Sequence, residues 1–236
     1  MKKEEKEHPQ LDNSQYRLRK TIGILGIALP LLLLLNHEEL LPSMSHYYYT
    51  TAGVFFISIL SAFGLILLTY QGYAREEGEF LSDNAITTMA AVCIFITVLV
   101  PTKADGYMCP VQLMEPNRYL FGHENPIHGA IHLISAGLFL CLLGYMCFAK
   151  FTMSPAISPI KKQYYKISAY IIWASVAALI IMFSIEKIAK IDLNNYWPAY
   201  VFWLELIAVW AFGIAWLVKG RFDRDIQALV GKAQQE

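Results

Sequence analysis

His128-Gly-Ala-Ile-His132 heads the apolar run Leu133–Phe148, which reads L-I-S-A-G-L-F-L-C-L-L-G-Y-M-C-F. Two imidazoles at i and i+4 share one helix face, the spacing by which a helix offers two ligands to one metal or two groups to one substrate. With Ile131, the run is close to the ~20 residues that carry a helix across a bilayer. Ionisable groups where such a helix enters lipid are costly enough to point to function.

Working outward, five more apolar blocks match this one. The six are Thr21–Leu35, Thr50–Tyr70, Ala85–Val100, Ile131–Phe148, Ile167–Phe183 and Val201–Val218. The chain is 56% hydrophobic and only 16% charged. A soluble domain would disperse such residues by helical or strand period, whereas here they stand in membrane-length blocks. In lipid every backbone group must be satisfied within its own segment. The expectation is therefore an all-α membrane protein, a bundle of six transmembrane helices over residues 21–219. A polar arm, 1–20, precedes it and a polar, mildly amphipathic tail, 220–236, follows. Thr21–Leu35 is short and carries Pro30, which predicts an earlier start along Tyr16–Lys20 or a kink. Its lead is acidic as well as basic and no A-x-A-like site follows Leu35, so it reads as a retained helix rather than a secretory signal.

The positive-inside rule sets the orientation. One side collects Lys2, Lys3, Lys6, Arg17, Arg19, Lys20, Arg75, Lys150, Lys161, Lys162, Lys166, Lys219, Arg221, Arg224 and Lys232. The other holds Lys103, Arg118, Lys187 and Lys190. Six spans then put both termini in the cytoplasm of a multi-pass protein of the cell (inner) membrane. The lipid bilayer is the expected partner, and a net charge of zero gives no sign of nucleic-acid binding. Of Cys93, Cys109, Cys141 and Cys147 only Cys109 falls in an outer loop, so no intrachain disulfide is expected.

Between the spans, Tyr47–Tyr49 suits the headgroup belt. Ser43 follows Pro42 as a candidate helix cap, and Ser82-Asp83-Asn84 reads as a helix start. Gly53, Ser58, Ser61, Ala62 and Gly64 give the second span small residues for close packing. The outer stretch 101–127 is long for a structureless connection and suits a lid, a binding element or a folded cap. The inner loop 152–166, with Lys161-Lys162, suits anionic lipid, and Pro198 suits the first turn of the last helix.

The functional signal is an asymmetry. His8 is cytoplasmic, whereas His37, His46, His123, His128 and His132 map to the outer side with Glu38, Glu39, Glu124 and Glu205. Helices starting near Pro126 and Pro198 put His132 and Glu205 roughly 9–10 Å below the outer face, at ~1.5 Å per residue. Groups at matching depth on two helices can pair, which predicts a His132–Glu205 contact. A zinc site would use His128 and His132, with His46, Glu124 or Glu205 as third ligand. A bare H-x-x-x-H lacks the inner glutamate of H-E-x-x-H, and the plain alternative is two interfacial histidines bonded to neighbouring helices. Glu205 is either a neutral acid bonded to a backbone or hydroxyl partner, or a ligand, general base or proton carrier. There is no G-x-S-x-G elbow, phosphate loop or dinucleotide fingerprint. Ser43 or Ser45 beside His46 is too common a pairing to carry a triad. Trp203, Trp210 and Trp216 read as packing or lipid-facing bulk.

Several stretches together resemble a widespread, uncharacterised bacterial family of six-helix integral membrane proteins. They are Ser43-Met-Ser-His-Tyr-Tyr-Tyr-Thr50, Tyr70-Gln-Gly-Tyr73, Pro101-Thr102, Ile131-His-Leu-Ile-Ser-Ala-Gly-Leu-Phe139 and Phe202-Trp-Leu-Glu205. Phe212-Gly-Ile-Ala-Trp-Leu-Val-Lys-Gly220 completes the set. The resemblance spans nearly all the membrane region, brings no activity, and implies that Ser45, Tyr48, His132, Glu205 and Lys219 are family features. A fainter one is to the alkaline ceramidase and adiponectin-receptor-like superfamily of intramembrane zinc hydrolases, whose order of serine, histidine, aspartate and H-x-x-x-H is followed by Ser43, His46, Asp83, His128 and His132. Here the serine–histidine spacing is one short, and H-x-x-x-H falls on the fourth of six spans rather than the last of seven. The topology sets Asp83 at the inner face, about 30 Å of hydrocarbon from the histidines.

The leading expectation is an outward-facing pocket of His46, Tyr48, His132 and Glu205 that binds, senses or transports a small molecule, lipid or ion. The alternatives are a zinc-dependent hydrolase of outer-leaflet lipid with Glu205 as its catalytic group, and a structural subunit without a ligand.

Overall fold

The computed structural model describes residues 9–70, 72, 81–103, 126–153 and 157–222. Six α-helices account for most of them: α1 Pro9–Leu35, α2 Gly53–Thr69, α3 Asp83–Leu99, α4 Pro126–Tyr145, α5 Pro159–Ala189 and α6 Tyr200–Lys219. The described residues contain no strand. Four helical segments are long and apolar enough to cross a membrane: Ser14–Leu35, Ile127–Lys150, Pro159–Ala189 and Tyr200–Lys219. The other two apolar helices, α2 and α3, have 17 residues each.

Local chemistry accounts for the helix starts. Ser82 caps α3, its hydroxyl accepting from the Ala85 amide at 3.1 Å, and Asp83 occupies the first turn. Ser158 caps α5 ahead of Pro159, whose missing N–H is no loss there. α5 therefore absorbs Lys161 and Lys162, which the sequence places in a loop. α1 begins at Pro9, well before Thr21, and carries Pro30 in its interior. α6 starts two residues after Pro198, with Ala199 in the left-handed region at φ 54°. α4 ends in a π-helical turn, Met146–Lys150.

Each helix packs on the next in sequence, and α6 closes the ring against α1. Small residues set the closest approaches, which lets the helix backbones come near one another. A methyl on Gly64 of α2 would lie 2.7 Å from the Phe95 ring of α3, and one on Gly23 of α1 would lie 2.7 Å from the Gly213 carbonyl of α6. Of the other small residues of α2, Ser58 faces outward instead. Phe56, Phe63, Ile94, Phe139, Phe202, Phe212 and Trp216 fill the centre. The outside is also apolar: Val54, Leu65, Ile134, Leu138, Ile180 and Ile181 are more than half exposed. Water would penalise such a surface, whereas acyl chains would not.

The up-and-down chain path gives the bundle two polar ends. At one, Arg19 donates to the Tyr70 hydroxyl at 3.1 Å, Lys150 pairs with Asp83 at 3.5 Å, and Lys219 donates to the Phe151 carbonyl at 3.4 Å. At the other, the α1–α2 connection folds over the helix ends. His8, Cys109, His123, Glu124, the N-terminal part of the arm, most of the stretch 101–127 and most of the tail lie outside the described residues. Cys93, Cys141 and Cys147 are free thiols.

Candidate functional site

The connection between α1 and α2 contains a 3₁₀ turn, Met44–Tyr49, whose residues Met44, Ser45, Tyr47 and Tyr49 are buried. A buried turn must find partners for its polar groups, and here they come from three helices. The Phe202 amide of α6 donates to the Pro42 carbonyl at 2.9 Å. The Met44 amide donates to Glu205 Oε2 at 2.7 Å. The Ser45 hydroxyl lies 2.8 Å from His132 Nε2. Within the turn, Ser43 Oγ lies 2.7 Å from His46 Nδ1.

His132 is buried on α4, and its Nδ1 lies 2.7 Å from the Val100 carbonyl at the end of α3. A carbonyl only accepts, so Nδ1 carries the hydrogen. Nε2 of the neutral ring is then the acceptor, and the Ser45 O–H donates to it. One imidazole thus ties α3, α4 and the turn together with its tautomer fixed by geometry.

These residues wall a cavity of about 320 Å³, lined among others by Ser43, Ser45, His46, Lys103, His132 and Glu205. Below it lies an apolar recess of about 60 Å³ between Leu29, Phe56, Leu60, Ile94 and Phe139, which also shares Ser45 and Glu205. Toward the bundle end, a wider opening of about 910 Å³ shares His46 and Val201 and is edged by Glu39, Glu186 and Asp192. The lining changes from an acidic entrance, through a largely apolar chamber that carries Ser43, Ser45, His46, His132 and Glu205, to an apolar floor.

The structure thus brings His46, His132 and Glu205 to one cavity. It corrects the predicted His132–Glu205 contact: no hydrogen bond joins them, because each holds a neighbouring residue of the turn, Ser45 and Met44. Tyr48 does not line the cavity; its ring packs edge-on against Tyr49 and Phe56, at 5.3 and 6.4 Å. Tyr47 and Tyr49 are buried rather than belted at the headgroups, with their hydroxyls on the carbonyls of Glu39 and Thr102. Burial pushes the Tyr47 phenol above its ordinary pKa, and its bond from the Leu41 amide opposes this more weakly. Ser43 starts the turn without capping it through its side chain. Trp216 is core, Trp203 is partly exposed, and Trp210 donates to the Ile27 carbonyl at 3.2 Å.

The zinc arrangement of His128 and His132 has no support in this geometry. His128 is half-buried and does not line the cavity, and both nitrogens of His132 are engaged. Among the described residues no three His, Cys, Asp or Glu side chains are grouped to hold a metal ion. Asp83, which the zinc-hydrolase order would require, pairs with Lys150 at the far end of α3.

No family model, curated protein or solved structure matches this chain.

Two partners escaped sequence reasoning. Ser45 was visible beside His46, but its link to His132 crosses 87 residues and carries no local signal. Val100 contributes only its carbonyl, which every residue possesses.

Proposed function

We propose that the chain is a six-span protein of the bacterial cell membrane with both termini in the cytoplasm, akin to the six-helix family its motifs resemble. In this reading the 320 Å³ chamber faces outward and binds a small amphipathic molecule or lipid. The two 17-residue helices support the span count, since each is about 25 Å long and the pair stands between α1 and α4 in a closed ring. The grouping of Arg19, Lys150 and Lys219 at the end away from the chamber supports the orientation. Fusions at the C-terminus test it: a fluorescent cytoplasmic reporter and an inactive periplasmic phosphatase are expected, and the reverse pattern would sink it.

The observation that carries the binding reading is the convergence of His132 and Glu205, from α4 and α6, on one chamber with an apolar floor. Polar side chains this far inside an apolar bundle are expensive, and a purely packing role does not need space beside them. Protein purified into nanodiscs should carry a co-purifying lipid or amphiphile by native mass spectrometry. Addition of that molecule should raise the melting temperature of wild type and not of Glu205→Gln. Absence of any bound species, with no shift from a panel of lipids, would favour the structural reading.

A further inference from the structure

We propose that Ser45 and His132 form a nucleophile–base pair that hydrolyses carboxylic esters of apolar acyl chains, an inference that rests on the chamber being a ligand site. The geometry of the pair meets what an activated serine needs. The serine hydroxyl is within hydrogen-bond reach of the base, at 2.8 Å, and the base is oriented by a third group, the Val100 carbonyl, at 2.7 Å. The direction of the bond is also correct: with Nδ1 protonated, Nε2 holds a lone pair aimed at the hydroxyl hydrogen. Here Ser45 and His132 both line the chamber, and Ser45 also borders the apolar recess beneath it. An acyl chain entering that recess would bring its ester carbonyl to the serine.

The reaction balances with water as the co-reactant. Ser45 Oγ attacks the ester carbonyl carbon while its proton passes to His132 Nε2. The carbon–oxygen bond to the alcohol then breaks, and the proton on Nε2 goes to the departing alkoxide. Water next attacks the acyl-Ser45 ester, giving its proton to Nε2. The bond from Oγ to the acyl carbon breaks, and Oγ takes the proton back. One ester and one water become one acid and one alcohol. The Val100 carbonyl, accepting from Nδ1 at 2.7 Å, stabilises the imidazolium in each half.

The test uses the full chain in nanodiscs and a fluorophosphonate probe bearing an alkyl chain, which phosphonylates activated serines in preference to ordinary hydroxyls. Peptide mapping of the wild type should place one adduct on Ser45. Ser45→Ala should lose the adduct, whereas Ser43→Ala should keep it, since Ser43 faces His46 in the same chamber. His132→Gln should slow labelling by about a hundredfold or more, the usual share of a general base. Hydrolysis of a fluorogenic medium-chain acyl ester should fall in parallel. Wild-type protein without an adduct on Ser45, or labelling of His132→Gln at the wild-type rate, overturns the proposal. The wild-type mapping does not depend on any variant folding. A protein that retains its co-purifying amphiphile yet leaves Ser45 unlabelled defeats the ester reading alone; loss of both defeats the chamber as a ligand site.

Discussion

Ser45 and His132 stand 87 residues apart in sequence and 2.8 Å apart in space, with the hydroxyl donating to Nε2. The bond fastens the 3₁₀ turn to α4, and through Nδ1 and the Val100 carbonyl it fastens the turn to α3 as well. His132→Phe should keep the ring volume while stranding the Ser45 hydroxyl and the Val100 carbonyl. Each stranded buried group costs about 1–3 kcal/mol. Ser45→Ala strands only Nε2, so it should be the milder change. Thermal unfolding in one detergent should order the three proteins as wild type, Ser45→Ala, His132→Phe. Equal midpoints for all three would mean that the bond contributes nothing to holding the turn.

Glu205 plays the corresponding part from α6, accepting the Met44 amide hydrogen at 2.7 Å. A glutamine can accept the same hydrogen through its amide oxygen, so Glu205→Gln should unfold close to wild type. Glu205→Leu leaves the amide without a partner and should cost about 1–3 kcal/mol. Amide hydrogen exchange at Met44 gives a local readout: protection in wild type and Glu205→Gln, loss in Glu205→Leu. Protection surviving in Glu205→Leu would show that another group holds that amide.

Gly23 permits α1 to lie against α6. An alanine methyl there would sit 2.7 Å from the Gly213 carbonyl and 2.6 Å from Leu217 Cγ. The leucine can turn aside, but the carbonyl belongs to a helix backbone and cannot. Gly23→Ala should therefore destabilise the bundle by about 1–3 kcal/mol, the usual range for overpacking. Gly137→Ala, where a methyl would meet nothing within 4 Å, is the control and should be neutral. A Gly23→Ala protein as stable as that control would place α1 farther from α6 than the structure has it.

Tyr47 gives the connection between α1 and α2 a pH dependence. Its hydroxyl accepts from the Leu41 amide at 3.4 Å and donates to the Glu39 carbonyl at 3.3 Å, and its ring is fully buried. Burial raises the phenol pKa in the folded state. The neutral phenol's contribution is therefore complete below the unfolded value of about 10, and it is lost as pH rises through the folded value. At neutral pH Tyr47→Phe should be less stable by about 1 kcal/mol, the net worth of a typical hydrogen bond. Above pH 10 the wild type should lose stability faster than the variant, so the two curves converge. Parallel curves across that range would show that Tyr47 does not titrate with unfolding.

The all-helical class, the apolar blocks of membrane-spanning length, the helix start at Ser82 and the gathering of His46, His132 and Glu205 were all legible in the linear chain. Block length and hydropathy are local properties, and a helix rise of about 1.5 Å per residue turns position into depth. Partnership was not legible. Equal depth predicted that His132 and Glu205 touch, yet the turn Met44–Tyr49 enters between the helices and takes both bonds. Nothing local in Ser43-Met-Ser-His shows that its second serine reaches α4 while its first turns to His46. The tautomer of His132 rests on a backbone carbonyl, a group without sequence identity. The sequence by itself determined how far along its helix each residue stands; only the tertiary structure decided which donor meets which acceptor, because that depends on how the helices and their connections pack.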